Sequence, residues 1–144
     1  MNEETVKKWI VKAENDLKIG KDEMLTDRPV TDAICFHMQQ CVEKYLKAFL
    51  IFNGKEIRKT HDIAELIEAC SEIDLDFKKL YDMDADKLTD YAVEIRYGDE
   101  FYFPTIDETK NAIEIAEKTK SFVLSKLRMR GFSNQNSYLG GENG

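Results

Sequence analysis

Apolar positions recur along this chain at helical spacing and mark five segments separated by turn signals. Val6, Trp9, Ile10, Ala13, Leu17, Gly20 and Met24 keep one face of a helix and predict a first element over 3–24. Arg28-Pro29 interrupts the pattern, because proline disfavours a helical residue before it, and Thr31 or Asp32 is placed to cap the second helix. The run from Ala33 to Leu50 is apolar nearly all round and ends near Asn53-Gly54, a left-handed stop signal. Thr60 N-caps a third helix carrying Ile63, Leu66, Ile67 and Cys70. A looser acidic connection comes next, with Leu75, Phe77, Leu80 and Tyr81 as packing points. Leu88, Tyr91, Ala92 and Ile95 then predict a fourth helix over 84–97, stopped by Gly98-Asp99. Thr105 to Glu108 spells a capping box, and Ile113, Ala116, Val123 and Leu127 give the last helix its seam. No strand pattern stands out. The expected fold is all-α, an up-down bundle of four to five helices over 1–130, followed by a disordered Gly-, Asn- and Ser-rich tail over 131–144.

The central run is the most informative. A helix so apolar belongs in a core or a subunit interface, yet His37, Gln40, Lys44 and Lys47 recur along it at i, i+3, i+7 and i+10, with Gln39 and Glu43 alongside. Such a row must face water, a ligand or a partner, since unpaired buried polar groups are costly. It reads either as a solvated stripe or dimer seam, or as a groove whose amides and ammonium groups hold a phosphate or base.

Charge sharpens the choice of partner. The net charge of −7 argues against a general grip on a nucleic-acid backbone. Local basic patches remain, with a net of +3 over Glu43 to His61 and +4 over Lys110 to Arg130, and the acidity is concentrated elsewhere, notably over Glu65 to Asp90. Cys35, Cys41 and Cys70 sit in apolar helical patterns without metal-ligand spacing, which reads as reduced thiols in a cytoplasmic protein. Neither a signal peptide nor a membrane-spanning run is visible.

Little in the chain marks chemistry outright. No Gly-rich phosphate loop, metal-ligand cluster or paired catalytic carboxylates stand out, and no cofactor is expected. Lys44 and Lys47 are better phosphate candidates than His37, since an ammonium needs no special geometry. Thr60-His61-Asp62 opens a helix whose free N–H groups could receive an anion, although capping alone explains Thr60 and Asp62. Arg96 and Tyr97 close the expected fourth helix, where an Arg can bond terminal carbonyls or pair with Asp99. Phe101, Tyr102 and Phe103 can stack on a base or be buried at an interface.

Several segments in order carry a family likeness: W…A…DL at Trp9, Ala13, Asp16 and Leu17, then FHMQQCVEKYLKAFL, THDIAEL from Thr60, and LTDYAVEIRYGD from Leu88. Together, from Trp9 to about Leu127, they resemble the HEPN family of small helical domains. The resemblance implies a helical bundle that pairs into a homodimer and associates with a small nucleotidyltransferase, often as a toxin–antitoxin pair. Related domains act as metal-independent RNases or are thought to bind nucleotides. The catalytic members use an Arg followed after four to six residues by His, brought together across the dimer. Arg96 matches that Arg, but Phe101, Tyr102 and Phe103 stand where the His is required, and His37 and His61 lie upstream. RNA cleavage of this kind needs a general base for the 2′-OH, so the departure weakens the RNase reading.

The reading is therefore a non-catalytic, cytoplasmic, homodimeric module that binds nucleotide or RNA and assembles with a nucleotidyltransferase. Its ligand residues are His37, Gln40, Lys44, Lys47, His61, Arg96 and Tyr97. The alternatives are a ribonuclease with a rearranged site around Arg96 and a purely structural interaction domain.

Overall fold

A computed structural model describes residues 3–57 and 59–133. The long helix α2 (Thr31–Phe52) forms the centre, with fourteen of its residues buried, and α1 (Glu3–Met24), α3 (Ile63–Ser71) and α4 (Ile106–Met129) pack around it. Its apolar circumference thus has the cause expected from the sequence: neighbours cover it on several sides. Among the described residues, no helix is long and apolar enough to cross a membrane.

The α1–α2 contact is close because Gly20 offers no side chain. A Cβ there would fall 2.4 Å from Met38 Cε and 3.4 Å from Ile34 Cγ2. Alanine needs only a rotation of the Met38 thioether, whereas Gly20→Leu overpacks the seam. Gly20→Leu is expected to cost about 1–3 kcal/mol in urea denaturation.

The helix ends obey local chemistry. Thr105 Oγ1 accepts from the Glu108 N–H at 3.0 Å while the Glu108 carboxylate accepts from the Thr105 N–H at 3.3 Å, so the expected capping box forms. Thr105→Ala should lower stability by about 1 kcal/mol, read as a reduced thermal midpoint. Two expected caps differ. Asp62, not Thr60, caps α3 by accepting from Ala64 N–H at 3.0 Å, and Thr60 Oγ1 supports it by accepting from Asp62 N–H at 3.0 Å. At α2 neither Thr31 nor Asp32 caps: Val30 holds that position, and its N–H donates to Glu23 at 3.1 Å.

The expected fourth helix over 84–97 is absent. Two 3₁₀ segments, Leu75–Met83 and Ala85–Ala92, meet at Asp84, whose left-handed φ of 63° ends the first. Val93 is extended, and β1 (Arg96–Tyr97) pairs antiparallel with β2 (Glu100–Phe101), Arg96 opposite Phe101 and Tyr97 opposite Glu100. Gly98 takes φ 66° at the first of the two loop positions, as a glycine-led two-residue hairpin turn requires. Leu88, Tyr91, Ala92 and Ile95 kept a helical spacing by coincidence. Gly-Asp between EIRY and EFYF was the overriding hairpin signal.

Phe132 is buried and meets Phe52 edge-on with ring centroids 5.7 Å apart, so the chain still packs at the first residues of the expected tail. The rest of that tail, from 134, lies outside the described residues.

Candidate functional site

The polar row of α2 is gathered onto two buried carboxylates. Asp16, one turn from the middle of α1, takes His37 Nδ1 at 2.7 Å on one oxygen and Lys44 Nζ at 2.7 Å on the other. Glu43, on α2 itself, takes Lys47 Nζ at 2.7 Å on one oxygen and both Gln39 Nε2 and His61 Nδ1 at 3.0 Å on the other. Gln40 Nε2 donates to Gln39 Oε1 at 2.8 Å, and Gln39 also donates to the His61 carbonyl at 3.1 Å. Five of the candidate residues, His37, Gln40, Lys44, Lys47 and His61, therefore belong to adjacent networks joining α1, α2 and the start of α3.

Burial makes these contacts consequential. Asp16, Glu43 and Lys47 are buried, and the Lys47 ammonium also lies 5.8 Å over the Trp9 ring. Burial alone would raise the Glu43 carboxyl, but hydrogen bonds from Lys47, His61 and Gln39 outweigh it and hold the group below its ordinary range. A carboxylate only accepts, so Nδ1 of His37 and of His61 carries the proton in each pair. Each imidazole is thus oriented by a carboxylate, an arrangement that can present Nε2 to a ligand or receive a proton. Both lysines, however, are held by in-chain acids.

Arg96 and Tyr97 lie away from this cluster, on the exposed hairpin. Arg96 donates through Nε and Nη2 to Glu94 at 3.0 and 2.9 Å, and its guanidinium sits 4.6 Å over the Phe101 ring. Tyr97 turns to the other side of the strand, as successive strand residues do. There it lines a groove of about 500 Å³ with His61, Asp62, Thr89 and Asp90. The fold therefore brings Tyr97 to His61 and leaves Arg96 on the Phe101 side, so the described residues form no Arg96–histidine contact.

The ribbon is fixed from beneath by Glu108. Tyr91 and Tyr102 both donate to its carboxylate, which joins the second 3₁₀ segment and the residue following β2 to the N-terminus of α4. Burial tends to raise Glu108, but the bonds from Tyr102, Tyr91 and the Thr105 backbone keep it lowered; the Tyr102 hydroxyl, hydrogen-bonded to that carboxylate, is pushed up to about 12.

The carboxylate partners were named in the sequence, Glu43 beside the row and Asp16 within W…A…DL, but stood outside the candidate ligand set. Asp16 and Glu43 organise the site, while the candidate set held only their donors. The spacing of Glu43 between Gln39 and Lys47, four residues either way, was the available signal. For Asp16 only its place in W…A…DL pointed to a role.

Comparison with known proteins bears on the fold and the family. The crystal structure of an archaeal HEPN homologue matches with a TM-score of 0.62 and 26% identity, over 85% of this chain and 97% of that one. Curated protein sequences give no match. The family model described as the HEPN domain matches residues 6–127, a span that includes both carboxylate networks and the hairpin. The chain belongs to the HEPN domain family.

Proposed function

We propose that this protein is a non-catalytic HEPN module that binds a nucleotide or RNA end and assembles as a homodimer with a small nucleotidyltransferase, in a cytoplasmic toxin–antitoxin-like pair. The observation that carries the binding half is the groove joining His61 to Tyr97. Both side chains are well exposed, at 68% and 70%, and one supplies an oriented imidazole while the other supplies a ring for stacking. Asp62 and Asp90 in the same groove favour amine and hydroxyl donors of a base and sugar over a phosphate. Lys44 and Lys47 would have to leave Asp16 and Glu43 to hold a phosphate. We therefore assign His37, Gln40, Lys44 and Lys47 to positioning the His61 face, and leave Arg96, on the Phe101 side of the ribbon, outside the ligand contacts.

The separation of Arg96 from His61 and its pairing with Glu94 support binding over cleavage. A thermal-shift series with mononucleotides and short RNAs tests the proposal. A saturating ligand at about 100 times its Kd should stabilise the fold by about 2.7 kcal/mol, and Tyr97→Ala should remove the shift without altering the unliganded midpoint. Flat curves with every nucleotide and RNA would contradict the binding half, and a monomeric mass at micromolar concentration would contradict the homodimer.

A further inference from the structure

The other side of the ribbon carries a second groove, of about 520 Å³, between the first turns of α2 and the hairpin. Its walls are Phe36, Tyr91, Val93, Phe101, Phe103 and Pro104, and Asp32 and Glu94 stand among them. Val93, Phe101 and Phe103 are 69%, 50% and 64% exposed, an apolar patch that single domains rarely leave open without use. We propose that this groove docks a basic, apolar-anchored segment of a partner protein. The inference rests on the assembly half of the proposed function and specifies the partner's chemistry.

Charge decides the occupant. From Asp82 to Glu108, nine acidic residues oppose Lys87 and Arg96, a net of −7 that equals the net charge of the whole chain. Of these acids Glu94 lines the groove itself, where Asp32 of α2 joins it and no basic residue lines the walls, so the groove's own charge is negative and the flanking acidic segment reinforces it at longer range. A second copy docking here face to face would set the two Asp32–Glu94 pairs against each other, and a nucleic-acid backbone laid in this groove would meet the same repulsion. A cationic segment meets attraction at the rim and apolar walls within.

Arg96 already displays the recognition chemistry. Its guanidinium sits over the Phe101 ring and pairs with Glu94, the two contacts an incoming Arg would make. The Phe103 ring remains open to a second cation or an aliphatic anchor. The Tyr91–Glu108–Tyr102 contacts hold the walls in place, which lowers the ordering cost of docking.

Fluorescence anisotropy with a labelled ten-residue peptide alternating Lys or Arg with Leu tests this, beside its Glu-for-Lys/Arg counterpart and a ten-nucleotide RNA. Of the two peptides only the basic one should bind, raising salt from 50 to 300 mM should weaken it at least fivefold, and any RNA bound at the His61–Tyr97 groove should leave the peptide affinity unchanged. Phe103→Ser and Glu94→Lys, both at exposed positions, should each weaken it at least tenfold, whereas Met129→Ser at the far end of α4 should not. Unchanged affinity in Phe103→Ser would mean unspecific charge attraction and overturn the proposal. So would RNA binding lost in the same two variants, or conversion of a dimer to monomer by Phe103→Ser. The mass measured on the same samples separates the two readings: a dimer without peptide binding overturns this inference alone, and a monomer that binds the peptide overturns the homodimer alone.

Discussion

Glu43→Ala should destabilise the protein by about 3–5 kcal/mol, the cost typical of removing one partner of a buried ion pair. The Lys47 side chain is only 8% exposed, and without Glu43 its ammonium keeps the Trp9 ring as its remaining contact among those described. Gln39 and His61 lose the same acceptor, so α3 loses a tie to α2. Replacing the pair together, Glu43→Leu with Lys47→Met, should recover most of the loss, because a well-packed apolar pair avoids the desolvation that the ions incur. Urea unfolding of the single and double variants measures both effects. A single-variant loss below about 1 kcal/mol would show that the pair is solvated and that the network does not order the site.

The pH dependence has a definite sign. Glu43 is held below its unfolded value, so its contribution is fully present above the unfolded carboxylate range and is lost as pH falls through the lower folded value. Wild-type stability should therefore decline on acidification below the ordinary glutamate range, and the Glu43→Leu/Lys47→Met variant should decline less steeply over the same interval.

Phe77→Ala is the second large effect, expected at about 3–5 kcal/mol. Phe77 is fully buried, with its ring centroid 4.4 Å from Phe49 on α2 and 5.0 Å from Phe122 on α4. It fastens the first 3₁₀ segment to the bundle. The 3₁₀ geometry itself supplies little stability, since its hydrogen bonds are poorer than those of an α-helix. Truncation should consequently expose the amides of residues 75–92 to hydrogen exchange before those of α2. Uniform loss of protection throughout the chain would show that the segment has no separate stability.

The bundle was legible in the sequence where periodicity and caps agreed. The span of α1, the stop of α2 at Asn53-Gly54 and the capping box at Thr105 each rest on local chemistry that tertiary contacts reinforce. The segment 84–97 was not legible from its apolar spacing, which is helical, while Asp84 turns left-handed and Val93 extends only in the folded context; Gly98-Asp99 was the one local sign of the hairpin. The candidate site divides in the same way. The row on α2 is a property of one helix and could be read directly. The carboxylate of Asp16 comes from another helix, and the meeting of His61 with Tyr97 depends on a hairpin that sequence spacing concealed.

The proposed binding role requires that this HEPN domain leave RNA intact. The most direct measurement is a denaturing gel of end-labelled RNAs incubated with the purified full-length protein in excess chelator, beside the Arg96→Ala variant. Intact RNA in both samples over hours is the expected result. Fragments that form with the wild-type protein and vanish with Arg96→Ala would contradict it, and would mean that assembly brings a histidine to Arg96 that a single chain keeps apart.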